Sequence, residues 1–247
     1  MNFPKLTLSR ARLSIRRGGG EAERRSTAPY LIHQAVADLF GDHTDRGYLF
    51  RVTAEWPDGR EVLVLSRVPA LSLDRVVSPE HRRVVHLESR AFQPPLSAGQ
   101  LLDYEVRVNA TRVVTGPDRD THGLPKKRRH DIWELLWTAD KTDMSRTPHR
   151  AYGEWLARQL AGAAEILEAQ VTERGEVMAC RGDRPNVVRF VAANLIGTLR
   201  IQDPTRFLDI IAAGIGRARA FGCGLICLSR PGTVLARHYP ERAAELL

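Results

Sequence analysis

The chain has 247 residues, is 43% hydrophobic, and carries a formal charge of +8 with a pI near 9.9. That length allows one large domain or two of roughly 100 to 120 residues, and the apolar fraction supplies a core. No window approaches about 18 apolar residues, which excludes a membrane-spanning helix, and the basic balance points to a polyanion partner, nucleic acid first.

Residues 3–15 alternate, with Leu6, Leu8, Leu13 and Ile15 apolar, and read as a strand with one buried face. Arg10, Arg12, Arg16 and Arg17 interrupt this stretch, so it is no signal peptide and a cytoplasmic protein is expected. Residues 16–26 are polar and glycine-rich and read as a loop, with Arg16 and Arg17 as candidate phosphate contacts. Thr27, Ala28 and Pro29 signal a helix start. At about 100° per residue, a helix over 30–40 gathers Leu31, Ile32, Ala35, Val36, Leu39 and Phe40 on one apolar face. Tyr30 and His33 fall about 60° apart, off the centre of that face. The pair admits two readings: a histidine at the core margin, or a proton-transfer group beside a tyrosine hydroxyl.

Residues 47–54 and 61–67 read as strands joined by the turn Trp56-Pro57-Asp58-Gly59. Residues 74–79 read as a short, weak helix and 82–87 as a fourth strand, which together make the split βαβ plan. Pro94 and Pro95 break the pattern. The expected division is residues 1–93, a linker at 94–99, and residues 100–247.

Residues 101–114 alternate again and read as one strand, followed by a loop over 115–123. The basic run Lys126, Lys127, Arg128, Arg129 and His130 reads either as a solvated face or as a phosphate contact. Residues 132–137 suggest a short helix, and 149–164 a clear one with Tyr152, Trp155, Leu156 and Leu160 at helical spacing. Strands are expected over 164–171, 177–180 and 187–201, with Arg181, Arg184 and Arg189 around the turn. A helix over 203–212 and a strand over 225–228 close the chain. The order repeats, so the fold class is α+β with two tandem ferredoxin-like (RRM-like) βαββαβ units.

Between the last helix and strand lie Gly214, Gly216, Gly222 and Gly224 with Arg217 and Arg219. Glycine lets backbone approach a ligand, and arginine suits phosphate, so this is either a backbone-lined anion site or a turn shaped beside a buried strand. Cys180, Cys223 and Cys227 form no CxxC pair, and they read as free, buried thiols of a reducing compartment, with Cys223 and Cys227 on one face of a strand-like run.

The stretch Gly214-Ile215-Gly216-Arg217-Ala218-Arg219-Ala220-Phe221-Gly222-Cys223-Gly224-Leu225 resembles the C-terminal signature of the CasE family of CRISPR repeat endoribonucleases. Tyr30-Leu31-Ile32-His33 resembles that family's tyrosine-x-x-histidine, and two stretches from Phe92 to Gln100 and from Tyr104 to Ala110 match in order between them. The resemblance implies metal-independent cleavage of a CRISPR repeat RNA hairpin, with the enzyme staying on its crRNA product as a subunit of the type I-E surveillance complex. It also implies that His33 and Tyr30 serve the cleavage. Two departures stand out: the lysine usual in the family's turn is Arg219 here, and Gln34 and Asp38 occupy places that are basic in some relatives.

The chemistry fits those residue types. In RNA the 2′-OH can attack the adjacent phosphate, so the protein must orient it, move two protons and stabilise charge. An imidazole titrating near neutrality suits the proton transfer, while a tyrosine with a pKa near 10 suits orientation better than base catalysis. No clustered carboxylates and no Cys/His ligand spacing occur, so no metal or other cofactor is expected. A non-catalytic tandem RRM-like RNA-binding protein is the alternative, but the aromatic RNP pattern is missing. A small-molecule enzyme would need a nucleotide-binding glycine motif after a strand, which is also missing.

Overall fold

The computed structural model describes residues 5–15, 26–41, 47–76, 83–119, 125–139, 147–182 and 187–238. The first half runs β1 (Leu6–Ser14), α1 (Ala28–Asp38), β2 (Tyr48–Trp56), β3 (Gly59–Ser66) and β4 (Val84–Phe92). Its antiparallel sheet has the order β2-β3-β1-β4, which is the ferredoxin-like arrangement. Pro29 in the first turn presets α1, and Ile32, Ala35, Val36, Leu39 and Phe40 bury against Ala11, Leu13, Phe50, Val62 and Val64.

β1 buries more than the one face expected. Ala11 and Leu13 face α1, whereas Leu6 and Leu8 sit on the opposite side in the core of the second half, with Leu49 and Leu65. The register explains it: Leu8 pairs with Leu65, which pairs with Leu49, so an apolar row crosses the sheet's outer face. The weak helix expected over 74–79 is not formed as far as the described residues reach; 73–75 make a turn, and 77–79 lie outside them. The fourth strand is longer than expected.

The second half runs β5 (Leu101–Val108), β6 (Thr111–Arg119), β7 (Pro125–Asp131), α2 (Ile132–Ala139), α3 (Pro148–Gln159), β8 (Ala164–Ile166), β9 (Gln170–Cys180), β10 (Val187–Ile201), α4 (Pro204–Ala213), a 3₁₀ turn (Arg219–Phe221), β11 (Ile226–Ser229) and α5 (Thr233–His238). The sheet order is β11-β5-β10-β8, with β9 also on β10. Counting β8 and β9 as one interrupted strand, the ferredoxin-like order recurs.

Three expectations change. The strand read over 101–114 ends at Val108: buried Asn109 donates to the Val191 carbonyl at 2.7 Å, and the chain leaves the sheet. The loop read over 115–123 is strand as far as Arg119, and the basic run is β7, with Arg128 opposite Val114 and Arg129 opposite Val113. This two-stranded ribbon buries no apolar face, so periodicity could not announce it. Third, Cys223 precedes the last strand, which begins at Ile226, so Cys223 and Cys227 do not share one; none of the three cysteines is in a disulfide, and Cys223 is buried while Cys180 and Cys227 are half-buried. No helix among the described residues is long and apolar enough to cross a membrane.

Asp131 anchors the ribbon's base. Its buried carboxylate accepts from the Tyr152 hydroxyl at 2.6 Å, from Arg174 at 3.0 Å and from the backbone N–H of Trp133 at 3.1 Å, which caps α2. Burial raises the pKa of Tyr152, helped by Asp131, and burial likewise raises that of Tyr104 and pushes the Cys223 thiol up to about 11. The folded protein therefore holds these protons after the unfolded chain has begun to release its own, from the thiol's usual 9.0 upward. Stability should be complete below pH 9 and fall as pH rises toward 11, by at most about 1.4 kcal/mol per pH unit for each group in its window. A melting temperature that stays level from pH 8 to 11 would contradict this burial.

Candidate nucleic-acid interface and active site

The N-terminus of α1 is clipped to the far end of the β9–β10 hairpin. Thr27 N–H donates to the Cys180 carbonyl at 3.2 Å, Cys180 N–H returns to Thr27 Oγ1 at 3.1 Å, and Gly182 N–H reaches Ser26 Oγ at 3.1 Å. This clip fixes the start of α1, whose first turn carries Tyr30 and whose second carries His33. Both side chains are half-buried, with ring centroids 6.4 Å apart in an edge arrangement.

The glycine-rich turn lies against this pair. Phe221, at the end of the 3₁₀ turn, places its ring 5.7 Å from His33 and 5.7 Å from Phe190 of β10. The imidazole thus rests on an aromatic shelf supplied by the second half of the chain. Neither phenylalanine was singled out in the sequence: Phe221 reads as one apolar residue in a glycine run, and Phe190 is brought in only by the sheet.

All four glycines of the turn have positive φ, from 74° at Gly216 to 93° at Gly224. Their neighbours are protein. A Cβ at Gly214 would stand 2.6 Å from Leu49, one at Gly216 2.9 Å from the Trp155 ring, and one at Gly222 3.2 Å from Phe50. The glycines thus let the turn press into β2 and α3. Ala218 adopts the left-handed conformation without being glycine, at φ 55°, which stores roughly 1–3 kcal/mol of strain of the kind found at functional sites. The N–H groups of Gly214, Ile215, Phe221, Gly222 and Gly224 are bonded to backbone carbonyls. Arg217 and Arg219 are exposed, and Arg219 Nε donates to the Gly216 carbonyl at 3.2 Å.

A cleft of about 330 Å³ runs between the halves beside the pair, lined by Ile32, Phe50, Arg107, Asn194, Phe221 and Gly222. Arg51 of β2, one of its lining residues, pairs with Glu105 of β5, and Arg237 of α5 reaches the same carboxylate at 3.3 Å. Arg51 is only 6% exposed, so this contact ties the halves together in a dry setting.

The structure therefore gathers Tyr30, His33 and the glycine-rich turn. It does not join the basic run to them directly: β7 belongs to the ribbon, which continues into α2, and α2 packs on α3. Arg128 and Arg129 are exposed, with Arg128 paired to Asp118 at 3.0 Å. Arg16 and Arg17, and the side chains of Lys126 and Lys127, lie outside the described residues. Among the described residues, no group of three or more His, Cys, Asp or Glu is placed to hold a metal ion.

Comparison with known proteins follows this geometry. The sequence model of a family described as CRISPR associated protein matches residues 6–230. CRISPR system Cascade subunit CasE of Escherichia coli (strain K12) is 27% identical over 207 residues, which cover 81% of this chain and 91% of that protein. Among solved structures, CRISPR endoribonuclease Cse3 bound to a 19-nucleotide RNA is similar with a TM-score of 0.63 at 22% identity, over 91% of this chain and 99% of that one. Thermus thermophilus Cse3, bound to an RNA representing a pre-cleavage complex, gives 0.64 at 20% identity over the same shares. These two likenesses carry the fold.

Proposed function

The chain belongs to the CRISPR associated protein family, that of CasE, and from this we propose that it is the endoribonuclease that cuts the CRISPR repeat hairpin of precursor crRNA. It then stays on the crRNA as a subunit of the type I-E surveillance complex, in the cytoplasm. The observation that carries the reading is the Tyr30–His33 pair held in a T-shaped arrangement near the start of α1, against the glycine-rich turn.

In this reading the substrate supplies its own nucleophile. The 2′-OH attacks the neighbouring phosphorus, the 5′-oxygen of the next nucleotide leaves, and the products end in a 2′,3′-cyclic phosphate and a 5′-hydroxyl. No metal-activated water is needed. His33 transfers a proton at the 2′-OH or at the leaving oxygen, a step worth about 10² to 10⁴-fold. Tyr30 donates a hydrogen bond that orients the 2′-OH or the phosphate. Arg217 and the amides of the arc from Gly216 to Ala220 stabilise the charge on the pentacoordinate phosphorus, and Arg219 holds RNA phosphate beside it. Residues 1–93 and 100–247 act as two domains joined by 94–99, with the apolar row Leu8, Leu49 and Leu65 sealing one to the other.

The test is incubation with the repeat RNA of the same genome in EDTA, followed by end mapping. One cut within the repeat, leaving a cyclic phosphate, is expected. Binding without cutting would favour the tandem RRM-like alternative.

The charge makes a second expectation. Each phosphate neutralised contributes a slope of about −0.7 to −0.9 in log K against log salt. Neutralising Lys126, Lys127, Arg128 and Arg129 together should flatten the slope by roughly two to three, because Arg128 is already paired with Asp118. A slope unchanged by the quadruple variant makes the ribbon a bystander.

A further inference from the structure

We infer that a cavity between Arg67 and Arg219 is a second phosphate subsite, one that holds the RNA phosphate next to the one being cut. The inference rests on the RNA-cleaving reading above. The cavity measures about 490 Å³ and opens on the seam between the halves, with Tyr48, Leu49, Arg67, Ala213, Arg219 and Ala220 in its walls. Arg67 follows β3, and Arg219 belongs to the glycine-rich turn, so each half contributes one guanidinium.

No carboxylate among the described residues lines this cavity. Among the described residues Arg67 has no side-chain partner, and Arg219 commits only its Nε, to the Gly216 carbonyl. Two like charges facing one space repel, and an anion between them converts that repulsion into two attractions. The planar guanidinium fork matches phosphate oxygens, which a lysine does as a point charge only. The alanines Ala212, Ala213 and Ala220 keep the walls low, leaving room for a ribose beside the phosphate.

Its position relative to the catalytic pair is set by one short turn. Arg219 and Phe221 are the ends of the same three-residue 3₁₀ helix, and Phe221 carries the ring against His33. Two residues of backbone span at most about 7 Å, comparable with one nucleotide step. Along the other wall, Tyr48 stacks on Phe40 with ring centroids 4.6 Å apart, so the cavity lies toward the end of α1 opposite Tyr30 and His33. A strand that presents its scissile phosphate to His33 would lay its neighbour between Arg67 and Arg219.

The test measures hairpin affinity against salt for the parent protein, Arg67→Ala and Arg67→Lys. Hairpins carrying one neutral methylphosphonate at each phosphate flanking the cut complete the set. Arg67→Ala should weaken binding about 5- to 20-fold and flatten the salt slope by about one, with an unchanged melting temperature. Arg67→Lys should recover part of the affinity. One flanking methylphosphonate should weaken the parent and leave Arg67→Ala no weaker than it already is. If the parent binds with a steep slope and Arg67→Ala matches it, the subsite is overturned while the RNA reading stands. If the parent binds no repeat hairpin, both fall. If inorganic phosphate at matched ionic strength displaces the hairpin from the parent but not from Arg67→Ala, the cavity belongs to a free anion and the RNA assignment is overturned.

Discussion

His33→Ala should abolish cleavage of the repeat hairpin, lowering the single-turnover rate by at least about 10²-fold, while hairpin affinity stays close to that of the parent. The imidazole is half-buried and touches two rings, Tyr30 on its own helix and Phe221 across the seam. Removing it forfeits edge contacts worth about 0.5–1.5 kcal/mol, too little to unfold a protein of this size. The affinity should survive because the basic groups proposed to hold phosphates lie on the glycine-rich turn and the ribbon. Tyr30→Phe keeps the ring contact and loses only the hydroxyl, so it should be slower than the parent and faster than His33→Ala. The decisive measurements are the single-turnover rate in EDTA and the melting temperature, on the same samples. A His33→Ala protein that cuts at the parental rate leaves His33 a core-margin histidine and removes the catalytic assignment.

The second large effect is expected at Gly216. Gly216→Val forces a branched side chain onto a residue at φ 74° and drives its Cβ to 2.9 Å from the Trp155 ring and 3.3 Å from the Asn109 carbonyl. Left-handed strain costs about 1–3 kcal/mol and overpacking a further 1–3 kcal/mol, so the melting temperature should fall by roughly 4–24 °C. Trp155 is buried in α3, and Asn109 is the residue at which the chain leaves the sheet, so neither yields cheaply. Arg219→Ala is the counterpart. Its side chain is exposed, so the melting temperature should hold while hairpin affinity drops; Arg219→Lys should be mild because the charge remains. Should Arg219→Ala bind the hairpin as tightly as the parent, the turn serves packing alone and its phosphate role is lost.

These two expectations divide the turn between two tasks that the sequence presented as one. A run of four glycines and two arginines reads equally as a phosphate cradle and as a tight turn, because both need backbone without Cβ. The neighbours decide. Leu49, Phe50 and Trp155 come from distant parts of the chain and fill the space a side chain would take, so packing accounts for the missing Cβ atoms, and the Arg219→Ala measurement decides whether the turn also serves the ligand.

What the sequence determined by itself was local and periodic. The apolar spacing of α1, the fifteen-residue strand β10 and the proline-started helices α3 and α4 all follow from patterns within one element. So does the placing of Tyr30 and His33 on one flank of a helix, since residues three apart are neighbours there. Most of the repeated order was legible for the same reason, the helix expected over 74–79 excepted. Tertiary structure decided what no single element encodes. The ribbon of β6 and β7 has no buried face to leave a periodic trace, so 115–123 read as loop and the basic run as a solvated face or a phosphate contact. Leu6 and Leu8 looked like part of one buried face with Leu13 and face the other way, because a strand alternates and a second core waits on its far side. The aromatic shelf beneath His33, and the facing of Arg67 with Arg219, arise where two sheets meet across a seam. Such contacts join residues separated by more than a hundred positions, and no local pattern of hydrophobicity carries that information.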